Sequence, residues 1–251
     1  PRPSAGAGLL AGFLTLESGH RTALALVNSS FGPTAVELFS ESSAVRLNAM
    51  SGGAVAPVWP ARQERDPLGQ AGHWFVAVQL SGLPAAVERQ TQEAGALARQ
   101  MGAKAVTALE REAAEQLFRH LRDYGRDTGS RAAVIVRCAV LPTETARAAQ
   151  LLGLSLGESG EAVEIAASPG AGIVRGYWRS VPSGLLNLVS TLRRELGHFG
   201  GTLVVERCPA EVKSSLDVWG SDDQDLDLMR DMKAALDPDG MLNPGRYLAR
   251  L

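Results

Sequence analysis

The sequence has little of what marks several protein classes. It contains 2 cysteines among 251 residues, so a disulfide framework is not expected and the pattern favours a reducing, cytoplasmic compartment. No apolar run approaches the roughly 18 residues that a membrane-spanning helix requires. The net charge of -2 and the pI of about 6.2 give no electrostatic footprint of a nucleic-acid-binding protein. We therefore expect no nucleic-acid partner and no transmembrane segment.

The glycine clusters lack the spacing of nucleotide-binding loops. Residues 6–12 read G-x-G-x-x-x-G, one residue longer than the dinucleotide fingerprint, and residues 170–176 repeat that spacing before a strand rather than a helix. The sequence has no P-loop. The histidines do not pair at ligand spacing and there is no Cys-x-x-Cys motif, so we expect no metal site. Cys138 lies in an apolar run and is interpreted as a buried, inert thiol.

Hydrophobic periodicity predicts an α+β fold. Strands are predicted at 12–16, 34–39, 74–80, 104–107, 131–141, 162–167, 172–178 and 202–206, and most of the segments between them have helical spacing. Short links favour an antiparallel sheet with helices on one face, as in a duplicated ferredoxin-like arrangement. A C-terminal helix and tail follow, and Leu228, Met229, Met232 and Leu236 are predicted to face the core. The long Gly- and Pro-rich segment 48–72 is predicted to be irregular.

Two strands carry candidate ligand-binding side chains. Glu206 and Arg207 leave a strand and enter a turn fixed by Pro209, a position suited to lining a cleft; a surface ion pair is the alternative. Arg175 and Arg179 are spaced to lie on one face of a strand with Tyr177 between them. Such a face can bind a carboxylate through bidentate hydrogen bonds, and a solvated sheet face is the alternative.

The most specific stretch of the sequence is its tail. A helix ends at Asp237-Pro-Asp-Gly, and the turn segment Asn243-Pro-Gly-Arg246 follows almost at once. Such a density of turn residues fixes the path of the backbone and sets the direction of Asn243 and Arg246. This rigidity indicates a tail that docks against another surface.

With Val218-Trp219-Gly220 before it, this tail resembles the C-terminal region of the FAD-linked oxidases, the vanillyl-alcohol-oxidase-type flavoproteins. The nearest resemblance is to the FAD-binding E subunit of glycolate oxidase. It implies an FAD-dependent oxidoreductase acting on a 2-hydroxy acid such as glycolate, with FAD held mainly by a domain outside this chain. The implied organisation is a linker over 1–11, a cap or substrate domain over 12–208, and a return to the FAD domain over 209–251. The chain is expected to be a piece of a longer protein.

The resemblance also implies roles for individual residues. Glu206 and Arg207 would be catalytic, Arg175, Arg179 and Tyr177 would bind substrate, and Asn243 and Arg246 would serve the cofactor. Related 2-hydroxy-acid oxidases carry metal-site histidines where this sequence reads Arg175 and Arg207, so no metal is expected.

The implied partners are a catalytic flavin subunit and an iron–sulfur subunit, in the cytoplasm or peripherally at a membrane through those subunits. Two alternatives stay open. One is a non-catalytic assembly subunit that docks its partners through the sheet face and the 48–72 segment. The other is a stand-alone ferredoxin-like ligand-binding domain.

Overall fold

The fold is built on one antiparallel sheet. The computed structural model describes residues 3–51, 73–128, 131–155, 162–220 and 226–245. Within these ranges the strands are β1 Ala5–Phe13, β2 Ala35–Ser40, β3 Trp74–Gly82, β4 Ala105–Glu110, β5 Val134–Ala139, β6 Glu164–Ser168, β7 Ile173–Trp178 and β8 Thr202–Arg207. The helices are α1 Leu16–Val27, α2 Glu41–Met50, α3 Pro84–Gln100, α4 Arg111–Asp123, α5 Thr145–Gly153, α6 Leu185–Gly197, α7 Ala210–Lys213 and α8 Leu226–Leu236. None of these helices combines the length and the apolar character needed to cross a membrane.

The sheet consists of two halves with the same topology. The strand order is β4-β1-β3-β2-β6-β7-β5-β8, and every neighbouring pair is antiparallel. Within each half, the strands and the helices α1, α3, α5 and α6 follow a β-α-β-β-α-β order. The halves join where β2 pairs with β6, through Leu38 opposite Ala167 and Phe39 opposite Ala166. The predicted α+β class with an antiparallel sheet is confirmed.

Helices cover both faces of the sheet. On the first face, α1, α3, α5 and α6 bury residues such as Leu26, Ala94, Leu152 and Leu192 in the larger core. On the second face, α2 and α4 bury a smaller core that includes Leu117. The prediction of helices on one face therefore needs correction. Since α2 and α4 lie outside the repeated β-α-β-β-α-β order, periodicity alone did not show which face they cover.

The glycine-rich start of the chain is a central strand. Residues 5–11, predicted as part of a linker over 1–11, pair with β3, and residues 7–11 also pair with β4. Glycine suits this strand because α4 crosses it closely: a Cβ atom on Gly8 would stand 2.7 Å from the Cβ of Ala114. Glycine within a strand often marks such a close approach. The residues around 6–12 therefore serve packing.

The cysteines are buried, and no disulfide joins them. Cys138 faces the larger core, where burial raises the pKa of its thiol to about 12. A thiol that stays protonated is a poor nucleophile. The predicted burial of Cys138 is confirmed.

Candidate active site

A polar cavity lies on the second face of the sheet. It has a volume of about 630 Å³ and lies between the α4 region and strands β2, β6 and β7. The charged residues that line it are Glu37, Glu115, Arg119, Arg122, Arg126 and Arg175. Arginines outnumber glutamates among these lining residues, and a concave surface of one dominant charge concentrates ligands of the opposite sign. The cavity therefore favours an anionic ligand.

Glu206 holds three arginines together at one end of the sheet. It is the extra residue of an irregularity in β8, because Val205 pairs with Val136 while Arg207 pairs with Ile135. Its carboxylate accepts hydrogen bonds from Arg126 at 2.7 Å and Arg175 at 3.2 Å. Arg137 forms an ion pair with it at 3.3 Å. Arg137 and Arg175 are directly opposite in register, so Glu206 offsets the repulsion between two adjacent like charges.

Arg179 pairs with a different carboxylate. Arg175 and Tyr177 lie on the second face of β7, whereas Arg179 follows the end of that strand and donates to Glu164 through Nε at 3.0 Å and Nη2 at 2.5 Å. Glu164 is buried and also accepts hydrogen bonds from Arg46 at 2.8 Å and from the hydroxyl of Tyr124 at 2.7 Å. The structure thus does not bring Arg175 and Arg179 together around one ligand.

Two other predicted site residues, Tyr177 of β7 and Arg207 of β8, differ in their position relative to the cavity. Tyr177 lines the cavity but is otherwise buried, and its ring packs edge-on against Tyr124 with the centroids 4.9 Å apart. Burial raises the pKa of Tyr177, so its phenol stays protonated at neutral pH. Arg207 donates to the backbone carbonyl of Ala132 at 3.4 Å and does not line the cavity.

Glu37 is a cavity residue that was not predicted from the sequence. It lies mid-way along β2, and the hydroxyl of Ser168 donates to both of its carboxylate oxygens at 2.8 Å. Burial raises the pKa of Glu37 to about 7, against the opposing effects of the Ser168 hydrogen bond and the charge of Arg175. In the sequence, Glu37 is the single charged residue of the apolar run Ala35–Phe39, and the alternation of side chains along a strand places it on one face. This pattern could have identified Glu37 as a candidate. Arg137 is likewise the single charged residue of the apolar strand β5.

The tail is ordered by Asp237 and exposes apolar side chains. Asp237 accepts hydrogen bonds from the backbone N–H groups of Met241 at 2.8 Å and Leu242 at 3.0 Å, and it pairs with Lys233. Asn243 has a left-handed φ of 47°, and Arg246 lies outside the described residues. Most of the apolar residues predicted to face the core are exposed in this chain, at 65% for Leu228, 54% for Met232 and 76% for Leu236, while Met229 is half-buried. That prediction is wrong for these three residues, since no described element packs over them.

We expect the Asp237→Ala variant to loosen the tail without unfolding the sheet. Lys233 and the two backbone N–H groups lower the pKa of Asp237. A lowered pKa means that the ordering effect is complete above the unfolded-state pKa and is lost as pH falls through the lower folded-state value. Amide hydrogen exchange should accelerate by roughly tenfold at Met241 and Leu242 in the variant. Asp239→Ala is the control, and equal exchange in both variants contradicts the assignment.

The family follows from sequence comparison. A profile of the family described as FAD linked oxidases, C-terminal domain, matches residues 2–147 and 220–247. The chain belongs to this family. The family resemblance predicted from the tail is confirmed, and the second matched range contains most of that tail. A comparison with curated protein sequences finds no match.

Solved structures share the fold of this FAD-linked oxidase domain. A p-cresol methylhydroxylase structure with substrate bound superposes with a TM-score of 0.59 at 14% identity, covering 98% of this chain and 53% of that one. A 4-ethylphenol oxidase from Gulosibacter chungangensis, in complex with isoeugenol, gives 0.55 at 14% identity, covering 100% and 55%. An alkyldihydroxyacetonephosphate synthase gives 0.51 at 11% identity, covering 94% and 44%. The chain thus spans about half the length of these proteins.

Membership of an FAD-linked oxidase family implies a flavin. The sequence contains no G-x-G-x-x-G or P-loop pattern for the pyrophosphate of a dinucleotide. The described residues instead form an arginine-lined cavity and a tail with exposed apolar side chains. An arginine-lined cavity suits an anionic ligand, and exposed apolar side chains are typical of an interface.

Proposed function

We propose that this chain forms the substrate-binding cap and C-terminal tail of an FAD-dependent oxidoreductase that oxidises a 2-hydroxy acid such as glycolate. The observation that carries the proposal is the cavity on the second face of the sheet, where arginines predominate around a space of about 630 Å³. Family membership supports the flavin part of the proposal. The arginine-rich lining supports an acid as the substrate, because guanidinium groups bind carboxylates through paired hydrogen bonds.

In this proposal, Arg175 and Arg126 bind the carboxylate of the substrate. Arg175 directs Nε and Nη2 towards Glu206, and Arg126 directs Nη2 towards it. A guanidinium carries five N–H donors, so both residues retain donors for a ligand. Glu206 limits the movement of both side chains, which reduces the entropy that a ligand must overcome on binding. The flavin supplies the hydride acceptor when it is bound.

The tail completes the proposal as a docking segment. Its exposed apolar residues include Leu228, Leu236 and Met241, and Asp237 fixes the backbone that follows. A run of exposed apolar side chains on one segment is typical of an interface. We place the flavin domain against this surface, with Asn243 and Arg246 orienting the tail. The proposed assembly contains a catalytic flavin subunit and an iron–sulfur subunit in the cytoplasm or at a membrane surface.

Binding of glycolate to the complete flavoprotein tests the proposed role of Arg175. In the Arg175→Met variant, we expect the Kd for glycolate to rise by roughly 10- to 100-fold, because charge-assisted hydrogen bonds to the carboxylate are lost. Calorimetric titration measures this change.

The matched control is Arg194→Met, which removes an exposed arginine of α6, a helix of the first face. Its Kd should equal that of the wild type. An unchanged Kd in Arg175→Met, with normal folding shown by circular dichroism, contradicts the proposal.

A second candidate is a non-catalytic assembly subunit of such a complex. The observation that favours it is the engagement of Arg126, Arg137 and Arg175 by the chain's own Glu206. Arginine also replaces histidine at the positions where related 2-hydroxy-acid oxidases are expected to carry metal ligands. Turnover of glycolate by the isolated flavoprotein excludes this candidate. A stable complex in which its flavin is never reduced supports it.

A further inference from the structure

We infer that Glu37 is the general base of this cavity and takes the proton from the hydroxyl group of the bound 2-hydroxy acid. The inference rests on the proposed function and assigns a residue that the family resemblance did not indicate. Three features of the structure support this inference: the position of Glu37 relative to Arg175, the fixed direction of the Glu37 carboxylate, and the burial and charges around that carboxylate.

Glu37 and Arg175 line the same cavity from strands β2 and β7, with β6 between them. Neighbouring strands are about 4.8 Å apart, so the two backbones are separated by about 10 Å. Both side chains lie on the second face but in different rows of the sheet: Arg175 is opposite Ala166 on β6, whereas Glu37 is opposite Ser168, two residues further along that strand. The cavity that both side chains line has a volume of about 630 Å³, which is large enough for a small hydroxy acid. We place the carboxylate of the acid at Arg175 and its hydroxyl group on the side of Glu37.

The carboxylate of Glu37 is held in one direction by Ser168. The serine hydroxyl donates to both oxygens at 2.8 Å, from the position on β6 opposite Glu37. A base must be fixed within hydrogen-bond reach of the proton that it removes. Each carboxylate oxygen has two lone-pair positions, so acceptor capacity remains beside the serine contact.

The surroundings of Glu37 allow both protonation states near neutral pH, because the effect of burial outweighs the Ser168 hydrogen bond and the charge of Arg175. Burial raises its pKa to about 7. The charged and titratable groups that face the cavity are Arg175 and Tyr177 from β7 and Glu115, Arg119, Arg122 and Arg126 from the α4 side. A base whose pKa lies near the working pH is the most effective one, since it is sufficiently ionised and still accepts a proton.

The proposed step is balanced. The O–H bond of the substrate breaks and a new O–H bond forms on Glu37. The C–H bond of the carbon that carries this hydroxyl group would break with both electrons, and a flavin, the two-electron acceptor that the family implies, would accept the hydride. The product is a 2-oxo acid. The proton on Glu37 then leaves through the open side of the cavity to solvent.

The Glu37→Gln variant of the complete flavoprotein tests the inference with glycolate as the probe. The wild-type kcat/KM should rise with pH through about 7, because only ionised Glu37 accepts a proton. In Glu37→Gln, we expect kcat to fall by roughly 10²- to 10⁴-fold and the profile to become flat, with the Kd for glycolate retained. Infrared titration gives an independent readout: a protonated carboxyl band should disappear through about pH 7 in the wild type and be absent from the variant.

Ser168→Ala separates a chemical role from a structural one. The Ser168 hydrogen bond lowers the pKa of Glu37, so its loss should move the midpoint of the pH profile to higher pH. A role in packing alone does not move that midpoint. Glu195→Gln, on the first-face helix α6, is the control and should leave the profile unchanged.

The outcomes distinguish the two proposals. Oxidation of glycolate with an unchanged rate and profile in Glu37→Gln overturns the role of Glu37 and leaves the proposed function standing. Failure of the wild-type flavoprotein to bind or oxidise any 2-hydroxy acid overturns both.

Discussion

Replacing Glu164 with glutamine should destabilise the protein by about 3–5 kcal/mol, the usual cost of removing one partner from a buried ion pair. Glu164 has a side chain that is 6% exposed, and it stands between Arg46 and Arg179. Without its charge, two guanidinium groups lose their counter-ion within a partly buried site. The hydroxyl of Tyr124 also loses a charged acceptor. Urea denaturation at neutral pH should show the loss as a lower transition midpoint with an unchanged slope.

The exposed pair of Glu195 and Arg194 provides the control for this prediction. The Glu195→Gln variant removes the same charge from a carboxylate that is 40% exposed. Exposed ion pairs contribute only about 0–1 kcal/mol, so this variant should unfold almost as the wild type does. Equal stability of both variants would contradict the role of Glu164 as the shared counter-ion of Arg46 and Arg179.

Much of the sheet was accessible from sequence because alternation and turn residues are local signals. The strands near 74–80, 172–178 and 202–206 were predicted close to their observed bounds. The first strand was missed because its Gly- and Ala-rich residues have weak strand propensity. What fixes it is tertiary: β3 and β4 pair with it on both sides, and α4 requires Gly8 to lack a side chain. Contacts between residues that are distant in sequence cannot be read from the local sequence pattern.

The start of α1 shows a second limit. A strand was predicted over 12–16, but Thr15 caps a helix that begins at Leu16, through a hydrogen bond from the backbone N–H of Ser18 at 3.2 Å. The cap was present in the sequence as a threonine before a helical pattern. The apolar residues before it masked the boundary. The predicted irregular segment 48–72 begins within α2, and its residues 52–72 lie outside the described part of the chain.

The candidate site was only partly predictable. Arg175 and Glu206 were selected from single strands, and the structure joins them at 3.2 Å. Their partners Arg126 and Arg137 come from a turn and another strand, so no spacing rule links them. Glu37 is separated from Ser168 by more than a hundred residues in sequence. Long-range pairing of β2 with β6 creates that contact, and the strand register that produces it is a property of the whole sheet.

Replacing Gly125 with alanine should destabilise the protein by about 3 kcal/mol, combining backbone strain with overpacking. Gly125 has a φ of +76°, and a Cβ atom there would stand 2.4 Å from the ring of Tyr177. The same residue connects the end of α4 to Arg126, which bonds to Glu206. A backbone shift that relieves the clash therefore displaces Arg126 from the cavity. We expect a lower urea midpoint and, in the complete flavoprotein, weaker binding of glycolate.

Gly200→Ala separates the two contributions. Gly200 has a φ of +72°, close to that of Gly125, but among the described residues nothing lies within 4 Å of the position that a Cβ atom would take. This variant should lose about 1 kcal/mol from strain alone and keep its affinity for glycolate. A loss of stability in Gly125→Ala no greater than that in Gly200→Ala would show that the Tyr177 contact relaxes freely. In that case Gly125 is required only for its backbone conformation. The packing of Tyr124 against Tyr177 then has no effect on the arginines of the cavity. A larger loss of stability, accompanied by weaker binding of glycolate, would instead show that the packing of the second face determines the arrangement of the arginines that bind the proposed substrate.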